Sequence, residues 1–205
     1  PVDVVSMTIF HVVTSDGVLE IDNASIVLVE DFISTDEVQR LAAAGHEIGS
    51  HTITHSYLTT LSEAGQVAEL ENSKSTLENT IVPGVAVTSI AYPYGDYDGS
   101  VLDKTAAAGY DAARGVDRGY NTKATERYAL KVQQVDRTTT IADINEWMTQ
   151  AETDGTWLIL MFHQIDDIAA NDLGITAEFL DEILTTVNNS GIAVTTIGDA
   201  IGLLN

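Results

Sequence analysis

The chain contains no cysteine among its 205 residues. Disulfide cross-links and thiolate-ligated metal centres are therefore excluded. Basic residues are scarce too: nine Lys and Arg stand against 31 Asp and Glu, a net charge of −22 at neutral pH. A field of that sign repels nucleic acid and anionic membrane surfaces, so a polymeric partner is expected to be neutral or cationic. A solvated acidic surface accounts for this charge, and adaptation to high salt would account for it as well. Long apolar runs are also missing. The longest, Trp157-Leu158-Ile159-Leu160-Met161-Phe162, falls far below the roughly 20 residues of a membrane span, so no span is expected. The chain opens at Pro1 without a signal-peptide pattern, which reads as a mature fragment, and the missing cysteine fits an exported protein, so an extracellular or cell-envelope location is expected. What is present is a 44% hydrophobic composition, enough to bury the core of one domain.

Two regions differ in pattern. Residues 1–30 read as a short all-β segment, with strand-like Val4 to Val13, a turn at Ser15-Asp16-Gly17, and two short strands around Asp22-Asn23. Residues 31–205 alternate between strand and helix patterns. Ser34-Thr35-Asp36-Glu37 opens a helix that Gly45 closes, and Glu47 to Ser50 reads as a strand. Helices follow over about 62–80, 101–108, 141–152, 176–190 and 197–204. Strands are expected at 87–91, from 112, and at 130–135, 158–162 and 192–196, with a polar loop over 115–128. Repeated strand–helix order favours an α/β fold with a parallel sheet or barrel, in which chemistry collects at the carboxyl ends of the strands.

Three segments lie at such ends. In His51-Thr52-Ile53-Thr54-His55 two of the five histidines stand four residues apart. On one helical turn or in a tight loop both imidazoles can face one ion, and zinc accepts nitrogen at about 2.0–2.1 Å while keeping a position open for water. The alternative is that one caps a strand and the other packs in a groove. As ligands they would need a third protein ligand, normally a carboxylate or an imidazole. His163 ends the most apolar strand and reads as a general acid, or as a satisfied core histidine. Asp136 follows the strand 130–135 and is placed to orient His163, in competition with Asp166 and Asp167.

Tyr92-Pro93-Tyr94-Gly95 is either a plain turn or a rigid loop that aims the Tyr94 backbone N–H at a developing oxyanion. The Tyr94 ring could then form a sugar-binding wall. Asp96 and Asp98 follow and would approach the metal if the loop folds back. His46 reads as structural, His11 as a sheet side chain and Trp157 as core.

Together His51-Thr52-Ile53-Thr54-His55, Ala91-Tyr92-Pro93-Tyr94-Gly95 and Leu158-Ile159-Leu160-Met161-Phe162-His163 resemble the second, third and fifth motifs of the NodB-like polysaccharide deacetylases, carbohydrate esterase family 4. Gly45-His46-Glu47-Ile48-Gly49 is similar to the family's lead-in, and the resemblance covers about residues 34–204. It implies a distorted (β/α) barrel and a divalent metal, usually zinc. It also implies removal of acetyl groups from an N- or O-acetylated polysaccharide, such as a chitin-like, peptidoglycan or poly-N-acetylglucosamine glycan. On this resemblance His51 and His55 are the ligand pair, His163 the catalytic acid and Tyr94 the oxyanion donor. Asp136 stands where the family often places the carboxylate that pairs with the acid.

The chain departs from the family at its start. The Thr-Phe-Asp-Asp-Gly motif, which carries the general base and the third metal ligand, is absent. Alignment on Val5-Ser6-Met7-Thr8-Ile9-Phe10-His11 puts Phe10 and His11 at the two carboxylate positions and makes His11 a third nitrogen ligand. On the other reading, residues 1–29 are the closing strands of an accessory β-sandwich. The barrel then lacks its first strand and helix, with a break between Val29 and Ser34. The arginine that usually precedes the third motif is also absent around Ala91-Tyr92. A glycan-binding domain without a general base is therefore the alternative to an active deacetylase.

Overall fold

The computed structural model describes residues 4–9, 33–165 and 172–204. Strand β1 is Val4–Ile9, followed by helices α1 (Thr35–Ala43) and α2 (Glu63–Thr76), strand β2 (Ser89–Ala91) and helix α3 (Gly99–Ala107). Next come β3 (Ala112–Arg118), β4 (Leu130–Gln134), α4 (Ile141–Asp154) and β5 (Trp157–Phe162). The short pair β6 (Gln164–Ile165) and β7 (Gly174–Ile175) precedes α5 (Ala177–Ser190), β8 (Ala193–Thr195) and α6 (Ile197–Leu204). Six strands form one parallel sheet in the order β2-β3-β4-β5-β1-β8. The sheet is curled and flanked by helices, which is the distorted α/β barrel expected from the sequence.

The helices begin where local chemistry supplies their missing partners. Ser34 caps α1: its hydroxyl accepts the Glu37 N–H, and the Glu37 carboxylate accepts the Ser34 N–H at 2.9 Å. Thr140 and Asp143 do the same for α4, and Thr176 caps α5. The long helix expected over 62–80 is α2 followed by a wide turn at Leu77–Ile81, closed by the Val82 N–H donating to Leu77 O at 2.8 Å. That extra residue per turn keeps Leu77 buried in the core.

Strand β5 explains the architecture. Trp157, Ile159 and Met161 pack on one face with Ala91, Ala112, Leu130 and the α6 residues Ile197, Ala200 and Ile201. Leu158, Leu160 and Phe162 pack on the other face with Ile144 and Met148 of α4 and Ile183 and Val187 of α5. A strand covered on both faces reads as a continuous apolar run rather than an alternating one. Each such side chain contributes about 1.5–3 kcal/mol by leaving water. A third cluster packs Ile90 and Tyr92 against Leu58, Leu70 and Val101 of the α2–α3 side.

Three sequence expectations are corrected. Residues 4–9 are not part of a separate β segment: β1 lies between β5 and β8, with Val4 opposite Trp157 and Ile9 opposite Phe162. The sheet thus takes one strand from outside the expected unit 31–205. Strand-like patterning does not reveal which sheet a segment joins, and these partners lie at the far end of the chain. The other strands expected within 1–30, His11 and residues 29–32 of the expected break lie outside the described residues. Second, Glu47 to Ser50 is not a strand, because β2 is only three residues long and only Ser50 bridges it, opposite Ile90. Third, β3 continues to Arg118 through a register shift against β4, into what reads as polar loop, because Val116, Asp117 and Arg118 are exposed.

Candidate metal and catalytic site

The His51–His55 loop is anchored to the edge of β2. Ser50 N–H donates to Ser89 O at 2.9 Å and Ser50 O accepts the Ala91 N–H at 3.0 Å, which delivers His51 to the carboxyl end of that strand. His51 Nδ1 lies 2.7 Å from Ala91 O. A carbonyl only accepts, so Nδ1 carries the proton and Nε2 presents its lone pair. The chain then turns back through two non-glycine residues in the left-handed region, Thr52 at φ 69 and His55 at φ 55. Such residues cost about 1–3 kcal/mol each and persist only where surrounding contacts hold them. The result brings His55 Nε2 to 3.1 Å from His51 Nε2.

Two nitrogens bound to one tetrahedral zinc at about 2.0–2.1 Å would stand about 3.3 Å apart. The observed separation and the tautomer of His51 both fit a shared ion. Among the described residues no third His, Cys, Asp or Glu completes a metal-binding group.

The loop after β2 covers this pair. Tyr92 is buried, its hydroxyl donating to Tyr128 O at 3.0 Å, and burial pushes its pKa above the usual phenol range. Pro93–Gly95 is a single tight turn whose return bonds use the N–H groups of Gly95 and Asp96, not that of Tyr94. Tyr94 sits at φ 58, ψ 8. Its ring meets His55 edge-on at 4.6 Å and stacks on Tyr57 at 4.0 Å, within 8° of parallel. Thus the three non-glycine residues with positive φ among the described residues, Thr52, His55 and Tyr94, all belong to these two loops.

Asp96 and Asp98, expected to approach the metal if the loop folds back, are committed elsewhere. Asp96 accepts Thr59 N–H at 2.8 Å and the Thr59 hydroxyl at 2.9 Å, tying the two loops together. Asp98 caps α3 by accepting the Val101 N–H at 2.9 Å.

His163 follows β5 directly and is half-buried at the carboxyl end of the sheet, the same end as the His51–His55 and Tyr94 loops. Asp136, after β4, accepts the Thr138 N–H at 2.9 Å and the Thr138 hydroxyl at 2.6 Å on one oxygen. Its other oxygen accepts from Gln134 at 3.1 Å and lies 4.0 Å from Arg118. Those hydrogen bonds and the Arg118 charge outweigh its partial burial and hold its carboxyl below the usual range. The expected pairing with His163 is not among these contacts. Asp166 and Asp167 lie outside the described residues. His46 is exposed in the turn after α1.

Sequence reasoning passed over two groups here. Arg114 is 4% exposed on β3, in register with Ala91, and donates to Gly115 O at 3.2 Å beside Met161 Sδ at 3.1 Å. Desolvation pushes its pKa down to about 10. The available signal was an arginine enclosed by small residues in Ala112-Ala113-Arg114-Gly115. Glu69 of α2 accepts the Ile53 and Thr54 N–H groups and the Thr54 hydroxyl. Nothing in its sequence context points to that role.

Comparison with known proteins identifies the scaffold. The family model for polysaccharide deacetylases matches residues 8–113, just over half of the chain. The chain belongs to the polysaccharide deacetylase family. Its relatives include a chitin deacetylase from Colletotrichum lindemuthianum, 22% identical over 174 residues, or 85% of this chain and 64% of that protein. A gellan lyase from Bacillus sp is 49% identical over 76 residues, 37% of this chain and 3% of that protein. The chain thus spans less than two thirds of the curated relatives it matches.

Among solved structures, the C. lindemuthianum chitin deacetylase superposes with a TM-score of 0.55 over 80% of this chain and 66% of that one, at 22% identity. A polysaccharide deacetylase from Bacillus cereus superposes with a TM-score of 0.53 at 31% identity, over 60% of this chain and 38% of that one. For this deacetylase-family chain, the matched stretch contains both the His51–His55 and the Tyr94 loops.

Proposed function

We propose that this protein is a metal-dependent hydrolase that removes acetyl groups from an N- or O-acetylated polysaccharide, with Zn2+ as its metal. The observation that carries the reading is the convergence of His51 Nε2 and His55 Nε2 at 3.1 Å, with the His51 tautomer fixed by Ala91 O. A divalent metal held there would polarise the acetyl carbonyl and lower the pKa of a coordinated water.

The chain's own residues take the remaining roles. The Ala91 carbonyl keeps the His51 proton on Nδ1. The Tyr94 N–H, unused by its own turn, donates to the oxygen on which negative charge develops as the carbonyl carbon becomes tetrahedral. Water adds to the acetyl carbon and gives up a proton to solvent, and His163 gives a proton to the departing amine or alkoxide as its bond to the acyl carbon breaks, leaving acetate. Asp136 supports the β4 end through its Thr138 and Gln134 bonds. Asp96 and Asp98 are committed to Thr59 and α3, so neither is assigned the base.

Two further features support a neutral glycan as substrate. Ile53, Tyr57 and Tyr94 on the two loops, and Val116 packed beside Gly95, are large apolar side chains left exposed, a surface suited to the apolar faces of sugar rings. The net charge of −22 disfavours polyanions. The chitin deacetylase relative favours a chitin-like glycan, with peptidoglycan and poly-N-acetylglucosamine as the other candidates. A polymer substrate of this kind supports a location outside the cell or in its envelope. The commitment of Asp96 and Asp98 favours a second reading, a glycan-binding domain without turnover.

The test is acetate release from N-acetylglucosamine oligomers by zinc-loaded and chelator-treated protein. Zinc-dependent acetate release supports the hydrolase. Oligomer binding without acetate release supports the second reading.

A further inference from the structure

One face of α2 is polar where an apolar stripe would be expected. Gln66, Glu69 and Ser73 stand at i, i+3 and i+7, so they share one side of the helix. Gln66 and Ser73 are buried, at 4% and 3% exposure. All three side chains bind the histidine loop. Gln66 Nε2 donates to Leu58 O at 2.9 Å. Glu69 Oε2 accepts the Ile53 N–H at 2.8 Å and the Thr54 N–H at 2.9 Å, while its Oε1 accepts the Thr54 hydroxyl at 2.6 Å. Ser73 Oγ lies 2.7 Å from Ser50 Oγ and donates to Thr52 O at 3.3 Å.

The stripe thus grips the loop before, between and after the two histidines. Glu69 holds the central stretch. Two successive N–H groups converge on one oxygen only when the backbone makes a concave turn, as it does after Thr52 at φ 69. Within the loop itself the Thr54 hydroxyl lies 2.8 Å from Ser56 Oγ and the His55 N–H donates to Thr52 Oγ1 at 3.3 Å, while Ile53 and Thr54 are exposed, so Glu69 is what ties this stretch to α2. Hydrogen bonds to a carboxylate are roughly twice as strong as neutral ones, which suits Glu69 to holding the left-handed backbone in place.

We propose that Glu69, supported by Gln66 and Ser73, is a positioning residue that presets the His51–His55 pair for metal. This rests on the metal reading above. A loop free to relax its left-handed residues would let the two Nε2 atoms separate, and metal affinity would fall by the about 10–100-fold typical of lost supporting partners. Glutamine is nearly isosteric: its amide oxygen can take both N–H groups and its amide nitrogen can donate to the Thr54 hydroxyl.

The experiment is Zn2+ affinity by chelator competition on the folded chain, for wild type and for Glu69→Ala, Glu69→Gln and Thr54→Val. Amide hydrogen exchange at Ile53 and Thr54 is measured on the metal-free proteins. Glu69→Ala is expected to bind zinc about 10–100-fold more weakly, with faster exchange at both amides. Glu69→Gln should stay within about threefold of wild type on the same scale. Exposed Thr54→Val removes one of the three bonds to Glu69, together with the Thr54–Ser56 hydroxyl contact, and should cost a few-fold, a readout that survives if Glu69→Ala fails to fold. Unchanged zinc affinity in Glu69→Ala and Thr54→Val overturns the clamp alone. Glu69→Gln as weak as Glu69→Ala overturns the hydrogen-bond account. A wild type that binds no zinc overturns the metal reading and the clamp with it.

Discussion

Tyr57 lies flat against Tyr94, ring centroids 4.0 Å apart and planes within 8° of parallel, although each ring is about half exposed. The stack braces a residue whose backbone is left-handed and whose opposite neighbour is His55. Such pairs contribute about 0.5–1.5 kcal/mol beyond the area they bury. Tyr57→Ala is expected to weaken glycan binding by about 2–10-fold, since 1.4 kcal/mol is tenfold. Tyr57→Phe should retain it. Oligosaccharide titration by calorimetry measures both, and equal loss in Phe and Ala would point to the hydroxyl rather than the stack.

Replacement of His51 and of His163 should separate two functions. His51→Ala removes one of two converging nitrogens and is expected to abolish stoichiometric zinc retention on gel filtration. His163→Ala should keep its zinc while losing about 10²–10⁴-fold in acetate release. Loss of zinc in both variants would make His163 a ligand.

Gly95 allows the Tyr94 loop to reach β3. It has φ +68, and a Cβ there would lie 2.5 Å from Val116 Cγ2 and 2.8 Å from Val116 N. Gly95→Ala is therefore expected to destabilise the fold by about 1–3 kcal/mol through strain and overlap. Adding Val116→Ala removes the side-chain overlap but leaves the backbone contact and the positive φ, so it should recover only part. Chemical denaturation of the single and double variants checks this; full recovery would assign the cost to the Val116 side chain alone.

Tyr97 donates to Asp117 at 2.7 Å, joining the same loop to β3. That bond, with partial desolvation and the Asp117 charge, pushes the Tyr97 pKa up to about 12 from 10.0. The fold therefore favours the protonated phenol. Its contribution is complete below pH 10 and is lost as pH rises toward 12. Tyr97→Phe should reduce the alkaline fall in thermal midpoint over that window. An alkaline profile identical to wild type would show that the bond does not couple to folding.

The chemistry of the site was written into short local patterns. His51 and His55 are four residues apart, Pro93 and Gly95 frame Tyr94, and an unbroken apolar run leads to His163; each is legible because a few adjacent residues specify it. The alternating strand and helix order was legible for the same reason, since caps such as Ser34 and Thr140 and the 3.6-residue period act within one element.

Tertiary structure decided what depends on distant partners. Val4–Ile9 became an interior strand because its hydrogen-bonding edges found β5 and β8, more than 140 residues away. Asp96 became a tie between two loops rather than a neighbour of the metal because Thr59 of the facing loop captured it. Asp136 was drawn to Thr138 and Gln134. Glu69, one acidic residue among 31, acquired its role because the α2 face on which it stands packs against a backbone turn that exposes two N–H groups. Sequence specifies which side chains can donate, accept or coordinate. The packing of helix on loop and strand on strand decides which of those capacities are already satisfied and which remain available for chemistry.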